Sequence, residues 1–146
     1  MTTATDLSTL DCIVTEDAFA RVRDSQGLYF EPLQGLDPNQ FAADTLDPTR
    51  AEEAATVLQR IVSLQGKRVL EIGAGCGVMH IVWSKKFGID GYAIEPEQEG
   101  FGESAAIARD LIAANGLDPE RIIGATGESL PFEDNHFDIV YSSNVL

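Results

Sequence analysis

Cysteine is scarce in this sequence, basic residues are few, and long apolar runs are missing. Each absence closes a class of function. Only Cys12 and Cys76 occur, far apart and in no CxxC or Cys/His ligand spacing. That argues against a zinc site, so no metal is expected, and against disulfide stapling. A reducing, cytoplasmic compartment is the expectation. No stretch of about 18 apolar residues exists, so no membrane span is expected and no membrane partner. Met1 to Leu10 is polar, without the basic region and apolar run of a signal peptide. Lys and Arg number 10 against 24 Asp and Glu, a formal net charge of −14. Such a surface repels phosphate backbones, which argues against nucleic acid as substrate. No G-x-x-x-x-G-K-[ST] is present, which excludes a P-loop.

What remains is enough for one folded domain. At 146 residues and 44% apolar content, a chain of this size buries roughly 68–70% of its unfolded surface. Its organising stretch is Val69-Leu70-Glu71-Ile72-Gly73-Ala74-Gly75-Cys76-Gly77-Val78-Met79-His80-Ile81. It reads as a short apolar strand, a glycine-rich turn and the opening of a helix. Glycine lets backbone approach a ligand closely and tolerates positive φ. The helix after it points N–H groups at the same spot. A nucleotide-type cofactor site is expected there.

In chain order, residues 1–46 form a leader or a lid. A helix is expected over Asp11 to Arg23, with a stripe of Ile13, Val14, Ala18, Phe19 and Val22. Gly27 to Pro32 should be extended, since proline disfavours helix before it, and Gly35 to Asn39 should be turn. Asp47-Pro48 then starts a helix, with Asp47 as cap and Pro48 at the first position. Its expected apolar face is Ala54, Val57, Leu58, Ile61 and Val62, packed on the sheet, and Gln65-Gly66 should stop it. Arg68 to Ile72 is an unalternating strand that suits burial on both faces. A helix over Gly77 to Phe87 follows, with Val78, Ile81, Val82 and Trp83 inward. Gly91 to Glu95 is the second strand. A helix from Gly102 or Glu103 should bury Ala106, Ile107, Leu111 and Ile112, and Asn115-Gly116 should end it. Arg121 to Gly124 and Phe137 to Tyr141 are the third and fourth strands.

Strand and helix alternating in this way give a parallel sheet with right-handed crossovers. Ligands of such sheets sit beyond the carboxyl ends of the strands. The glycine turn, Glu95, Gly127-Glu128 and Ser142-Ser143-Asn144 all follow strands, so four strand ends converge on one edge.

A dinucleotide fold wants G-x-G-x-x-G and an acid about 20 residues on. Gly73 and Gly75 match, but Val78 stands where the third glycine belongs. Glu95 suits a ribose, while Glu71 at the turn disfavours a phosphate and welcomes a cation. A nicotinamide dinucleotide is therefore the weaker alternative.

Glu71-Ile72-Gly73-Ala74-Gly75-Cys76-Gly77 resembles motif I of the class I S-adenosylmethionine-dependent methyltransferases. Ile94-Glu95-Pro96 resembles the acidic end of their second strand. Gly127-Glu128-Ser129-Leu130-Pro131-Phe132 with Phe137-Asp138-Ile139-Val140 resembles their adenine loop and fourth strand, and Ser142 to Leu146 the segment after it. The resemblance spans about Lys67 to Leu146. It implies an α/β, Rossmann-like, mostly parallel sheet with flanking helices, with 47–146 as a partial cofactor-binding domain. It implies S-adenosyl-L-methionine as cofactor and methyl transfer to a small-molecule acceptor.

Residue by residue, the resemblance puts Glu71 near the methionine end, with the backbone of Gly73, Ala74 and Gly75 lining it and Gly77 allowing tight packing. Glu95 takes both ribose hydroxyls and Pro96 packs on the adenine. Glu128, a glutamate where aspartate is commoner, takes the adenine amine, and the Ser129 N–H a ring nitrogen. The Asn144 carbonyl accepts from the methionine amino group. No catalytic base is identified. His80 is a lone helix histidine, His136 a loop residue without a visible partner, and Cys76 a small packing residue. Asp138 supports a strand end. The family's sheet continues with three more strands, so the sequence is expected to be a fragment truncated after its fourth core strand. That strand would be an exposed edge with half-covered faces. The alternative to an enzyme is a cofactor-binding module without turnover, because the acceptor half is missing. Oligomeric state is not legible.

Overall fold

The computed structural model describes residues 12–28, 31, 35, 37–97 and 103–143. Among the described residues, five helices and four strands follow in order, with shorter turns between them. They are α1 (Glu16–Val22), a π-helical turn (Arg23–Gly27), α2 (Pro38–Thr45), α3 (Thr49–Leu58), β1 (Arg68–Ile72), α4 (Val78–Phe87), β2 (Asp90–Ile94), α5 (Ser104–Ala114), a 3-10 turn (Pro119–Arg121), β3 (Ile122–Ile123) and β4 (Ile139–Ser142). All strand pairings are parallel, in the order β3-β2-β1-β4. The order reverses at β1, whose neighbours are β2 and β4. That is the switch point at which open α/β sheets leave a crevice.

The N-terminal third departs most from expectation. The first helix starts at Glu16, where the Thr15 hydroxyl accepts from the Ala18 N–H at 3.1 Å. Ile13 and Val14 precede it, and Ile13 is exposed. The expected extended segment does not form at its described residues. Gly27 completes the π-helical turn, and Leu28 is helical with φ −65° and ψ −32°. Tyr29, Phe30 and Pro32 lie outside the described residues. The expected turn at 35–39 instead launches α2, with Asp37 Oδ1 accepting from the N–H groups of Asn39 at 2.9 Å and Gln40 at 3.2 Å. Asp37-Pro38 carries the same start signal as Asp47-Pro48.

At α3 the start is as expected, with Asp47 Oδ1 accepting from the Thr49 N–H at 2.9 Å. Its face is as expected only in part. Ala54 and Leu58 pack against the core, but the fully buried residues are Ala51 and Ala55, while Val57 and Ile61 are exposed. The helix ends at Leu58, ahead of Gln65-Gly66. Small residues allow α3 to lie close against α4, where the Trp83 Nε1–H donates to the Ala51 carbonyl at 2.8 Å. A buried tryptophan requires such a partner. In α5 the inward side is Ala105, Ile107, Ala108, Leu111 and Ile112, and Ala106 is exposed. The strands match expectation within two residues at each end, though β3 shrinks to two residues.

One hydrophobic cluster joins all five helices to Val69, Ala93, Ile122, Ile139 and Tyr141 on a single face of the sheet. The opposite face presents Leu70, Tyr92 and Val140, which are in register. There the loop 127–137 supplies cover. The rings of Phe132, His136, Phe137 and Tyr92 interlock edge-on or stacked, 4.7–6.5 Å apart. His136 thus has aromatic partners that the sequence did not reveal. A cleft of about 430 Å³ opens between this loop and Leu70 and Val140. β4 is an edge strand and Val140 is 57% exposed. No described helix is long and apolar enough to cross a membrane.

Candidate functional site

The glycine turn links β1 to α4. Gly73, Gly75 and Gly77 all have positive φ, at 79°, 55° and 80°, which L side chains rarely adopt. The three have different tasks. A Cβ at Gly77 would sit 3.1 Å from Ala108 Cβ and 3.3 Å from Ile112 Cδ1, so Gly77 lets the start of α4 close on α5. A Cβ at Gly75 would meet nothing within 4 Å. Backbone there borders open space, as a cradle for a ligand requires.

The turn's amides are largely committed to the protein. Gly73 and Ala74 N–H both donate to the Ile94 carbonyl, at 2.9 and 3.0 Å, and Gly77 N–H donates to the Ala74 carbonyl at 2.9 Å. The Gly75 N–H donates to Glu95 Oε2 at 2.9 Å. An anion site would keep such donors available. This turn has instead recruited its own carboxylate.

Two carboxyl groups therefore stand at the ends of the central strands, and both are buried. Glu71 closes β1. Its Oε1 is shielded from solvent and has no hydrogen-bond partner among the described residues. Burial, and then the nearby Glu95 charge, push the Glu71 carboxyl up to about 8. Glu95 follows β2. Burial raises it, opposed by the Gly75 N–H. Desolvation without a paired cation disfavours the charged form in both.

Pro96 lines a hollow of about 230 Å³ with Glu97, Glu103 and Arg109 between the end of β2 and the start of α5. Glu97 accepts from Arg109. Beyond β3 the character changes. Gly127, Glu128 and Ser129 are exposed. The Glu128 carboxyl is held below its ordinary range by its own N–H and by the Thr126 hydroxyl. The Ser129 N–H donates to the Thr126 carbonyl at 3.2 Å. Asn144 lies outside the described residues. The fold thus brings Glu71, Gly73, Ala74, Gly75, Gly77, Glu95 and Pro96 to the carboxyl ends of β1 and β2. Glu128 and Ser129 stand on a separate, open loop.

Residues with other duties are clear. Cys76 is buried and its thiol is pushed up to about 12 by burial, then by the Glu95 charge, so it is no nucleophile. His80 is buried, and desolvation, with a lesser contribution from Arg121, pushes it down to about 4. It is neutral at ordinary pH. Asp138 meets Arg68 at the other end of the sheet, where Oδ2 accepts from the Arg68 N–H at 3.0 Å and Oδ1 from its guanidinium at 3.2 Å. Among the described residues no group of His, Cys, Asp and Glu is placed to hold a metal ion.

Sequence reasoning missed Gln26. It sits in the π-helical turn, donates through Nε2 to Ser104 Oγ at 2.6 Å and lies beside the Cys76 thiol, whose pKa it lowers. The N-terminal segment is thereby tied to the glycine turn and to the first residue of α5. A glutamine in an irregular stretch carries no signal of this. The charged pattern comes closer, since Arg21 bridges to Glu103 at 3.1 Å and Asp110 at 2.5 Å.

A methyltransferase-domain family model matches residues 70–146. No curated protein matches the chain. Among solved structures, a provisionally assigned S-adenosyl-L-methionine-dependent methyltransferase from Methanococcus maripaludis is 23% identical, with TM-score 0.58 over 70% of this chain and 46% of that one. An S-adenosylmethionine-dependent methyltransferase from Geobacter sulfurreducens, solved with S-adenosyl-L-homocysteine, is 22% identical, with TM-score 0.50 over 69% and 38%. The mitomycin 7-O-methyltransferase MmcR is 20% identical, with TM-score 0.54 over 88% and 34%. The chain thus spans less than half the length of each of these proteins. More than half of it falls within the matched domain, and its parallel, Rossmann-like sheet is theirs. The chain therefore belongs to the class I S-adenosyl-L-methionine-dependent methyltransferase family.

Proposed function

We propose that the chain binds S-adenosyl-L-methionine at the carboxyl ends of β1 and β2 and serves methyl transfer to a small-molecule acceptor. The observation that carries this reading is the pair of buried carboxyl groups, Glu71 and Glu95, set against a glycine turn that presents open space at Gly75. The site's charge suits a cationic, phosphate-free ligand, and Glu71 Oε1 is an acceptor still lacking a donor. When bound, the cofactor supplies a methyl group already activated on a sulfonium.

The protein's share is holding and orienting. Glu95 Oε2 is engaged by Gly75, which leaves Oε1 to accept from ribose hydroxyls. Glu71 and the backbone of Gly73 to Gly75 take the methionine part, and Gly77 keeps α4 close enough to shape the turn. Pro96 offers an apolar face to the adenine. Glu128 meets its amine, and the Ser129 N–H exchanges the Thr126 carbonyl for a ring nitrogen. The Asn144 carbonyl, outside the described residues, takes the amino group. Placing donor and acceptor in line supplies most of the acceleration in such a reaction. No general base is assigned, since His80 is buried and His136 belongs to an aromatic cluster.

A small-molecule acceptor is favoured by the net charge of −14, which repels nucleic acid, and by the mitomycin named for one structural neighbour. Residues 1–46 serve as a leader or a lid, and the Gln26 contacts beside the turn favour the lid. Cytoplasmic residence fits two free cysteines. Calorimetric titration with S-adenosyl-L-homocysteine and with NAD tests the reading. Binding of the former and not the latter is expected, and the reverse would refute it. Methyl transfer by the chain then separates an enzyme from a binding module.

A further inference from the structure

We propose, building on the cofactor assignment above, that Glu71 keeps a proton in the unliganded site and surrenders it when the cofactor's positive charge arrives. Glu71 closes β1 with Ala93 and Tyr141 as register partners. Its Oε1 is shielded from solvent and accepts from no donor among the described residues. A charged oxygen left in that state is costly, whereas a protonated carboxyl tolerates it.

The described residues supply no compensating cation. From the end of β2 comes Glu95, a second acid, which acts on Glu71 repulsively. From β4, the Tyr141 ring lies edge-on to Trp83 at 5.2 Å. From α4, the neutral His80 packs at Gly91 and Lys85 donates to Asn115 at 2.7 Å. From the turn, the Cys76 thiol stays protonated. From α1, Arg21 is bound to Glu103 and Asp110. The group that makes the Glu71 carboxylate favourable must come with the ligand. The methionine end of the cofactor brings two candidates, an ammonium and a sulfonium.

Burial and Glu95 hold the proton on Glu71 up to about pH 8. Below that pH a cation must displace it, so affinity falls as pH falls. Above it the site is already ionised and affinity levels off. Linkage for one proton limits the slope to about tenfold per pH unit.

The test is calorimetric titration of the chain with S-adenosyl-L-methionine, and separately with S-adenosyl-L-homocysteine, between about pH 6 and 8 in two buffers of different ionisation heat. Release of close to one proton per ligand is expected near pH 7, with affinity rising as much as about tenfold per unit. Glu71→Gln should abolish both the release and the slope. A slope shared by both ligands identifies the ammonium as the displacing charge, and a slope confined to S-adenosyl-L-methionine identifies the sulfonium. Tight binding with no proton exchange and flat affinity would overturn the proposal while leaving the cofactor assignment intact, as would a slope undiminished in Glu71→Gln. Failure of both ligands to bind at any pH would overturn the assignment itself and the proposal with it. The wild-type proton count needs no variant, so it decides the matter even if Glu71→Gln fails to fold.

Discussion

The two halves of the strand-end edge are built differently. At the ends of β1 and β2, three amides tie the backbone to itself and a fourth donates to Glu95, three glycines hold positive φ, and two carboxyl groups are buried. Beyond β3, residues 127–129 are exposed and held by local turn bonds. One half is a hydrogen-bonded socket packed on the core, and the other is a surface loop. Preorganised groups give more per contact, because less ordering remains to be done on binding. Binding energy should therefore be concentrated in the first half.

The contrast can be broken most sharply at its glycines. Gly77→Val forces a branched side chain into positive φ and against Ala108 and Ile112. A loss of roughly 2–5 kcal/mol of stability is expected. Gly127→Ala meets only Ile72 Cγ2 at 3.5 Å, an ordinary contact, and should stay within about 0.5 kcal/mol. Thermal or denaturant melts of both variants check the pair, and equal losses would erase the distinction.

A second effect, of a few kcal/mol, is read through pH. Glu71 has a folded value of about 8 against an ordinary 4.5. Between these values the unfolded chain gives up a proton that the folded chain keeps. Stability from this group is therefore fully present below about 4.5 and is lost as pH rises towards 8. Glu71→Gln removes that dependence, so the variant should gain on the wild type from pH 5 to 8, by an amount set by about 1.4 kcal/mol per pH unit at most. Melting temperatures of both proteins across that range are the measurement, and parallel curves would contradict it.

Ligand affinity gives the third comparison. Glu95→Ala should weaken S-adenosyl-L-homocysteine binding by about 1–3 kcal/mol, since both a ribose contact and the Gly75 anchor are removed. Glu128→Ala, on the exposed loop, should cost less. A larger loss at Glu128 in the same titration would invert the comparison. A more modest effect is expected at Gln26→Ala. It cuts the link from the N-terminal segment to Ser104 and Cys76, at about 0.5–1.5 kcal/mol of stability, measurable in urea.

Legibility followed the same division. β1, α4, β2 and α5 were readable because each carries several agreeing signals, such as the apolar run of β1 and the Asn115-Gly116 stop. The glycine turn was readable because its chemistry is local. α3 misled because its start is a local signal but its buried face is not. Hydrophobicity nominated Val57 and Ile61, whereas the close approach of α4 selected Ala51 and Ala55. At α2, glycine and asparagine led residues 35–39 to be read as turn and the Asp37-Pro38 start went unread, whereas packing of Ala42 and Leu46 into the core favours helix.

By itself, the sequence determined the parallel α/β pattern, the glycine turn and the placing of acids at strand ends, because these depend on neighbours in the chain. Tertiary structure alone decided the rest. It set both carboxyl groups away from water, turned Glu95 onto the Gly75 amide, left Glu71 Oε1 without a partner and brought Gln26 from the N-terminal segment to the turn. Burial and hydrogen-bond supply depend on what the fold brings together across long separations. The position of an acid can be read from sequence, but its protonation cannot.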